Sequence, residues 1–408
     1  MIIPKNICLT PFIFTTINPQ GNQSPCPTLG GDLWDFKGIP LDKRWQGPEL
    51  VEFRQQMLDN KQLPVCVRCH SAEAADGYSL RKTIFNPIID STGTETRLFD
   101  TNITPIMALD KDFYKNGPMQ IVMKANNVCN LRCRSCNSND SVLFKIEGAI
   151  YKEKYNLPHE YYTNGPDATY WTDDQLDEIF NFSKNLRRLE IYGGEPLLDK
   201  QTPKLLKKLV ESGQSKKIQL NISTNVTIIP NDEWIDTVGQ FEHFNLNLSI
   251  DGLGKHFEYI RHPAKWNKVR ANMDFFVGKF SQKLSLSGNG YSLLPTITVS
   301  TLNIFYLPEL ITELKNIFGV APWLNLVTFP SYYCIANIPD AVKSKIVEKL
   351  ENTNMPELVE YINIMKTPMN SYEWDLFLKW TNAKDEYRNE SFNNTFPEFA
   401  EVITKYTL

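Results

Sequence analysis

Cys129, Cys133 and Cys136 share one short stretch, Asn127-Val128-Cys129-Asn130-Leu131-Arg132-Cys133-Arg134-Ser135-Cys136-Asn137, directly after the apolar run Met119 to Met123. Three thiolates this close on a loop can hold three corners of a cubane 4Fe–4S cluster, leaving the fourth iron without a protein ligand and open for chemistry. A structural zinc wants four ligands in closed pairs, and this loop supplies three. Further along stands Tyr192-Gly193-Gly194-Glu195-Pro196. Its glycines carry no Cβ, so backbone there can approach a ligand closely. Glu195 sets an acceptor beside them, and Pro196 fixes the exit. Two later strand ends carry Asn225 (Ile222-Ser223-Thr224-Asn225) and Ser249 with Asp251 (Leu248-Ser249-Ile250-Asp251-Gly252), and Arg261 follows. Hydroxyl, amide and carboxylate groups on neighbouring strand ends can hold a ribose, and an arginine can fork to a carboxylate. Ordinary strand-end caps and surface ion pairs use the same residue types.

Four more cysteines precede these. Cys8, Cys26 and the pair Cys66 and Cys69 make a full ligand set for one closed site, either a fourfold-ligated iron–sulfur cluster or a zinc. The eighth, Cys334, follows the last strand-like run in Phe329-Pro330-Ser331-Tyr332-Tyr333-Cys334. A thiol there can return a hydrogen atom to a substrate radical; its plainer reading is a small buried apolar residue.

Positioning these groups falls to the rest of the 408 residues, more than one ordinary domain. An apolar share of 42% suffices for a sizeable core. The net charge of -4, from 43 basic and 47 acidic side chains, gives no broad nucleic-acid footprint. No run approaches the ~18 apolar residues of a membrane span, and Met1 to Asn6 has no basic stretch leading into an apolar one, so a cytoplasmic protein is expected. There, clustered cysteines read as metal or redox ligands rather than disulfides.

Residues 1–105 are rich in turn signals and form a cysteine-rich small domain, with a helix expected from Pro48 to Asn60. From 115 to 335 short apolar runs alternate with helical stretches, the pattern of a parallel α/β fold. Strands are expected at Met119–Lys124, Arg188–Tyr192, Ile218–Ser223, Phe244–Ile250, Leu294–Val299 and Trp323–Thr328. Six βα units are too few to close an eightfold barrel, and sites of parallel barrels lie at the C-terminal ends of the strands. Residues 336–408 read as a helical C-terminal extension with no chemistry-bearing motif, a packing or substrate-covering appendage.

The three-cysteine loop followed one βα unit later by Gly-Gly-Glu-Pro resembles the signature of radical S-adenosylmethionine (SAM) enzymes. The resemblance implies a partial (β/α)6 TIM-like barrel, a 4Fe–4S cluster on Cys129, Cys133 and Cys136, and SAM as cofactor. It implies that Gly193, Gly194, Glu195 and Pro196 bind the methionyl amino group of SAM. Asn225 and Asp251 would lie near the ribose or substrate, and Ser249 and Arg261 near the SAM carboxylate. One departure stands out: an aromatic residue often precedes the third cysteine in this family, and here that residue is Ser135. The order Cys8, Ser24-Pro25-Cys26, Phe53-Arg54, Met57-Leu58, Pro64, Cys66, Cys69, Glu73, Ser79 and Arg81 resembles the twitch or SPASM cysteine motif, which implies an auxiliary 4Fe–4S cluster. Here it precedes the barrel instead of following it. The implied activity is reductive cleavage of SAM to a 5′-deoxyadenosyl radical that abstracts hydrogen from a peptide or protein side chain, with an electron donor such as flavodoxin or ferredoxin. A carbohydrate or nucleoside metabolite is the alternative substrate. A zinc- or cluster-stabilised binding protein without SAM cleavage is the alternative from another class.

Overall fold

A computed structural model describes residues 6–27, 29, 38–74, 79–83, 88–89, 95–96, 115–158, 162, 164–287 and 290–407. Its strands, in chain order, are β1 (Phe14–Ile17), β2 (Gln23–Ser24), β3 (Ile88–Ile89), β4 (Glu95–Thr96), β5 (Gln120–Lys124), β6 (Arg188–Tyr192), β7 (Gln219–Thr224), β8 (His243–Ser249), β9 (Gly290–Val299) and β10 (Trp323–Leu326). Eight of them form one sheet in the order β10-β9-β8-β7-β6-β5-β1-β2, and β3 and β4 pair separately. All neighbours from β10 to β1 run parallel; only β2 runs antiparallel, beside β1. The edges β10 and β2 do not pair, so the barrel stays open.

The six expected strands are β5 to β10, and Arg188–Tyr192 coincides end to end. The N-terminal segment adds two more to the same sheet: Thr15 lies opposite Ile121 and Ile17 opposite Met123. The cysteine-rich first unit is therefore joined to the barrel through backbone pairing. Its expected helix spans Pro48–Leu58.

Register sorts the side chains into two faces, because successive residues of a strand point to opposite sides. Ile121, Leu189, Leu220 and Phe244 lie in one row across β5 to β8 and are buried. The next row is polar: Glu190, Asn221, Asn245 and Ser292 lie side by side, with Asn245 donating to Asn221 at 2.6 Å. Helices cover the apolar face, including Asp173–Phe182, Thr202–Glu211 and Trp266–Ser287. Leu205, Leu206 and Leu209 form the buried stripe of the second, and Thr172 and Gln175 close a capping box that starts the first. The opposite, concave face stays polar and partly open, unlike the filled interior of a closed barrel.

Past β10 the chain has helices at Asp340–Glu351, Val359–Met365, Ser371–Arg388 and Pro397–Thr407. Trp380 of the third is fully buried, its ring centroid 5.0 Å from that of Tyr151 and 4.8 Å from that of Tyr162. It packs against the helix Phe144–Tyr155 that leads out of the three-cysteine loop. Trp380→Ala is expected to cost about 3–5 kcal/mol, the usual price of an emptied aromatic site, read as a lower denaturant midpoint at unchanged slope.

Candidate active site

The three-cysteine loop leaves β5 at its C-terminal end and is held by backbone and amide hydrogen bonds. Asn126 Oδ1 accepts from the N–H of Val128 at 2.8 Å. The side chain of Asn127 donates to the carbonyls of Pro166 and Asp167 and accepts from Thr169 N–H at 2.9 Å. The N–H groups of Arg132 and Arg134 donate to the carbonyls of His262 and Ile260 at 2.7 and 2.8 Å. These contacts bring the three thiols close enough for their charges to act on one another. Burial, then the neighbouring Cys133, pushes the Cys129 thiol up to about 12. Burial raises Cys133 as well, with Arg261 and Arg388 opposing. It raises Cys136 further, with Asp140, Cys133 and Cys129 adding to it.

Gly193 and Gly194 follow β6 with φ of 84° and 57°, the left-handed region. They lie against the cysteine loop: a Cβ on Gly194 would stand 2.4 Å from Asn126 Oδ1 and 2.5 Å from the Val128 carbonyl oxygen. The same carbonyl accepts from Glu195 N–H at 2.9 Å. Glu195 is buried, and its carboxylate accepts from Thr224 Oγ1 at 2.8 Å, from Asn225 N–H at 2.7 Å and from Leu197 N–H at 3.1 Å. It thereby ties the end of β6 to the end of β7. Pro196 opens the single turn Pro196–Leu198 and is buried. Asn225 carries the connection back to the loop. Its amide donates to Asn130 Oδ1 at 2.9 Å and lies 3.6 Å from the sulfur of Cys129, while its Oδ1 accepts from both the N–H and hydroxyl of Thr227.

Asp251 and Arg261 form a buried ion pair at 2.8 Å, through Arg261 Nε and Asp251 Oδ2. The other oxygen of Asp251 accepts from Thr298 N–H at 2.7 Å. Burial works against the Arg261 charge, yet Asp251 and the nearby thiols of Cys133 and Cys129 hold its proton more firmly than usual. Among the described residues the two Nη atoms of Arg261 donate no hydrogen bond, so a buried cation beside the cysteines keeps a free fork. Ser249, half-buried, ends β8 on the concave face, opposite Thr296.

Residues 123–303 match the family model of the radical SAM superfamily. The matched stretch, 181 of the 408 residues, runs from the end of β5 to just past β9 and includes the three-cysteine loop and the Gly-Gly turn. No curated protein matches the chain. Solved structures of similar shape include native anSMEcpe with bound AdoMet, at 16% identity over 67% of this chain and 68% of that one with a TM-score of 0.40. Streptococcus suis SuiB bound to precursor peptide SuiA shares 15% identity over 78% of this chain and 62% of that one, with a TM-score of 0.37.

The cofactors of a radical SAM enzyme are a 4Fe–4S cluster and SAM, and the loop residues fit the cluster. Burial disfavours the thiolate form at all three cysteines, and positive metal charge would favour it. No three His, Cys, Asp or Glu side chains among the described residues crowd one point closely enough for a single metal ion. Cubane ligands need not do so, since each thiol binds a different iron.

Two placements go beyond what the local sequence shows. Cys334 lies past β10, half-buried. Burial raises its thiol, and the charged group acting on it is Glu373 of the C-terminal extension rather than any group of the cysteine loop. The extension itself reaches the site: Lys384, Asp385, Arg388 and Glu390 contact Arg134 or Glu147 beside the cysteines. No local pattern announces this, because the partners lie some 250 residues apart in the chain.

The four early cysteines also converge, since the charges of Cys26 and Cys66 act on Cys8, and those of Cys26 and Cys69 act on Cys66. Burial first, then these neighbours, pushes Cys8 up to about 12 and Cys66 up to about 11. A second network frames them. Arg81 pairs with Glu73, which accepts from Ser79 at 2.5 Å, and Arg54 donates to the carbonyls of Pro11 and Trp45. Topology sets this group far from the first. Cys8 precedes β1, and Cys26 follows the antiparallel β2, so both lie at the N-terminal end of β5, whereas Cys129 lies past its C-terminal end. The five residues of β5 alone span on the order of 15 Å. Cys66→Ala is therefore expected to empty the early site and lower the melting temperature. The metal of the three-cysteine loop should stay in place, with SAM turnover within about tenfold of wild type, as checked by metal analysis alongside 5′-deoxyadenosine release.

Among the described residues no helix is long and apolar enough to cross a membrane.

Proposed function

We propose that this radical SAM enzyme reductively cleaves SAM and abstracts a hydrogen atom from a peptide or protein side chain. The observation that carries the reading is the convergence of Cys129, Cys133 and Cys136 beside the Gly193-Gly194 turn and the free fork of Arg261. When bound, the cluster supplies the electron that breaks the C5′–S bond of SAM, and the 5′-deoxyadenosyl radical so released takes the hydrogen.

The chain's own residues bind and orient. Gly193 and Gly194 let their turn lie tightly against the loop, which sets its backbone beside the place of the methionyl end of SAM. Arg261, anchored by Asp251, turns its free Nη atoms toward a carboxylate; a charge-assisted fork of this kind is stronger than a neutral pair and fixes direction as well. Asn225 and Glu195 hold the β6 and β7 ends against the loop, which keeps the thiols and the SAM-binding turn in register. Ser249, Thr296 and Thr298 line the concave face where the ribose and the substrate would meet. The polar row of Glu190, Asn221, Asn245 and Ser292 offers that face donors and acceptors to a hydrogen-bonding chain. The early cysteines, in the twitch- or SPASM-like order, support a peptide or protein substrate and an auxiliary 4Fe–4S cluster. Their place at the other end of the sheet keeps that cluster away from the reacting bond. A low-potential donor such as flavodoxin or ferredoxin would supply the electron.

The experiment is anaerobic. Reconstituted, reduced protein is incubated with SAM and a deuterated peptide pool, and 5′-deoxyadenosine is analysed by mass spectrometry. Deuterium transferred from peptide supports the proposal. 5′-Deoxyadenosine labelled only when carbohydrates or nucleosides are offered moves the substrate to that class, and no SAM cleavage at all would falsify the enzymatic reading.

A further inference from the structure

We infer that Lys384, Asp385, Arg388 and Glu390 of the C-terminal extension are positioning residues of the cluster site, clamping Arg132 and Arg134 on either side of Cys133. The inference rests on the cluster reading above and extends it to a segment outside the matched domain.

Arg134 is fully buried, with its guanidinium 3.4 Å above the ring of Tyr259. It lies between two carboxylates, Asp385 at 2.5 Å and Glu390 at 2.6 Å, and its Nε donates to the Tyr259 carbonyl at 3.1 Å. Lys384, also fully buried, donates to the backbone carbonyl of Arg134 at 2.8 Å and to the hydroxyl of Tyr162 at 2.9 Å. Arg388 forms a bidentate pair with Glu147 at 2.9 and 2.8 Å, and neither side chain is exposed. Glu147 also faces Arg132 at 3.4 Å. Glu390 completes the set by bonding His262 at 2.7 Å, and the His262 carbonyl in turn accepts from Arg132 N–H.

A tail that served only to cover the barrel would do so with apolar side chains, as Trp380 does. Taking this many charges out of water is costly unless each is paired, and well-packed apolar residues often match or exceed such pairs in stability. What paired charges add is a fixed direction. Here Lys384, Asp385 and Glu390 act directly on Arg134 or its carbonyl, and Arg388 reaches Arg132 through Glu147. Outer partners that orient metal ligands carry about 10- to 100-fold of metal affinity in other sites.

The test uses the full-length protein, reconstituted anaerobically with iron and sulfide. Lys384→Met keeps the side-chain length and removes the donors, and Asp385→Asn keeps the shape and removes a charge. Circular dichroism of the metal-free proteins reports whether each folds. Two readouts follow the loop: the rate at which a ferrous chelator strips iron, and the change in the electron paramagnetic resonance (EPR) spectrum of reduced protein when SAM is added. The expected result is folded variants that lose iron about tenfold faster than wild type and respond weakly to SAM, with Lys384→Arg recovering part of the retention. Wild-type iron retention together with a wild-type SAM response in the folded variants overturns the inference. If Lys384→Met does not fold, Asp385→Asn decides. A wild-type protein that assembles no cluster defeats the functional reading itself, whereas a loaded wild type with unaltered variants defeats the clamp alone.

Discussion

Gly194→Ala is expected to abolish 5′-deoxyadenosine formation, a loss of at least about a hundredfold, and to loosen the cysteine loop. Two costs combine. A residue with a Cβ in the left-handed region gives up roughly 1–2 kcal/mol, and Gly194 sits there with φ of 57°. The added carbon would also overlap Asn126 Oδ1, the Val128 carbonyl and the Val128 nitrogen, the last at 2.9 Å. Two of these are backbone atoms, and the third, the tip of the Asn126 side chain, is held by the Val128 N–H. Either the Gly-Gly turn or the segment leading to Cys129 must move, and the hydrogen bond from Glu195 N–H to the Val128 carbonyl goes with it. Rapid quench assays of SAM cleavage, with iron content measured in parallel, separate a lost SAM pocket from a lost cluster.

The Asp251–Arg261 pair gives the second large effect, and its two halves should behave differently. Removing one partner of a buried pair leaves an unpaired charge and typically costs 3–5 kcal/mol, so Asp251→Ala should lower the denaturant midpoint sharply. It also frees Thr298 N–H, which Asp251 satisfies at 2.7 Å. Arg261→Met strands the buried Asp251 carboxylate in turn and so carries a comparable stability cost; it also removes the free fork, a charge-assisted interaction worth about 1.5–3 kcal/mol. The affinity for SAM should then fall by roughly ten- to a hundredfold, as measured by equilibrium dialysis, while the iron content of the protein is retained. Unchanged SAM affinity in Arg261→Met would remove that residue from the site.

The barrel was legible because its strands are short apolar runs set between long helical stretches. β6 coincides with the expected Arg188–Tyr192. β1 was not legible: Phe14–Ile17 is too short for a period to show, and Thr15 and Thr16 dilute its apolar character. Its place beside β5 follows from pairing partners more than a hundred residues away. The polar row on the concave face was hidden for a related reason, because Glu190 and Asn221 interrupt their strands singly and only register lines them up. Site residues divided the same way. The cysteine spacing and the Gly-Gly turn are local, and both lie at strand ends as expected. Glu195 was read as an acceptor for a ligand; in the fold its oxygens receive Thr224, Asn225 and Leu197. The clamp on Arg134 was illegible because a buried lysine and its carboxylate neighbours look like any charged helix until their distant partners are placed.

One spectrum tests the central claim most directly: EPR of the anaerobically reconstituted, reduced protein, recorded before and after SAM, for wild type and for Cys133→Ala. A 4Fe–4S signal in wild type whose g-values shift when SAM is added, and which the substitution removes, is the predicted result. A protein that takes up zinc alone, or a cluster signal indifferent both to SAM and to the loss of Cys133, would contradict the account.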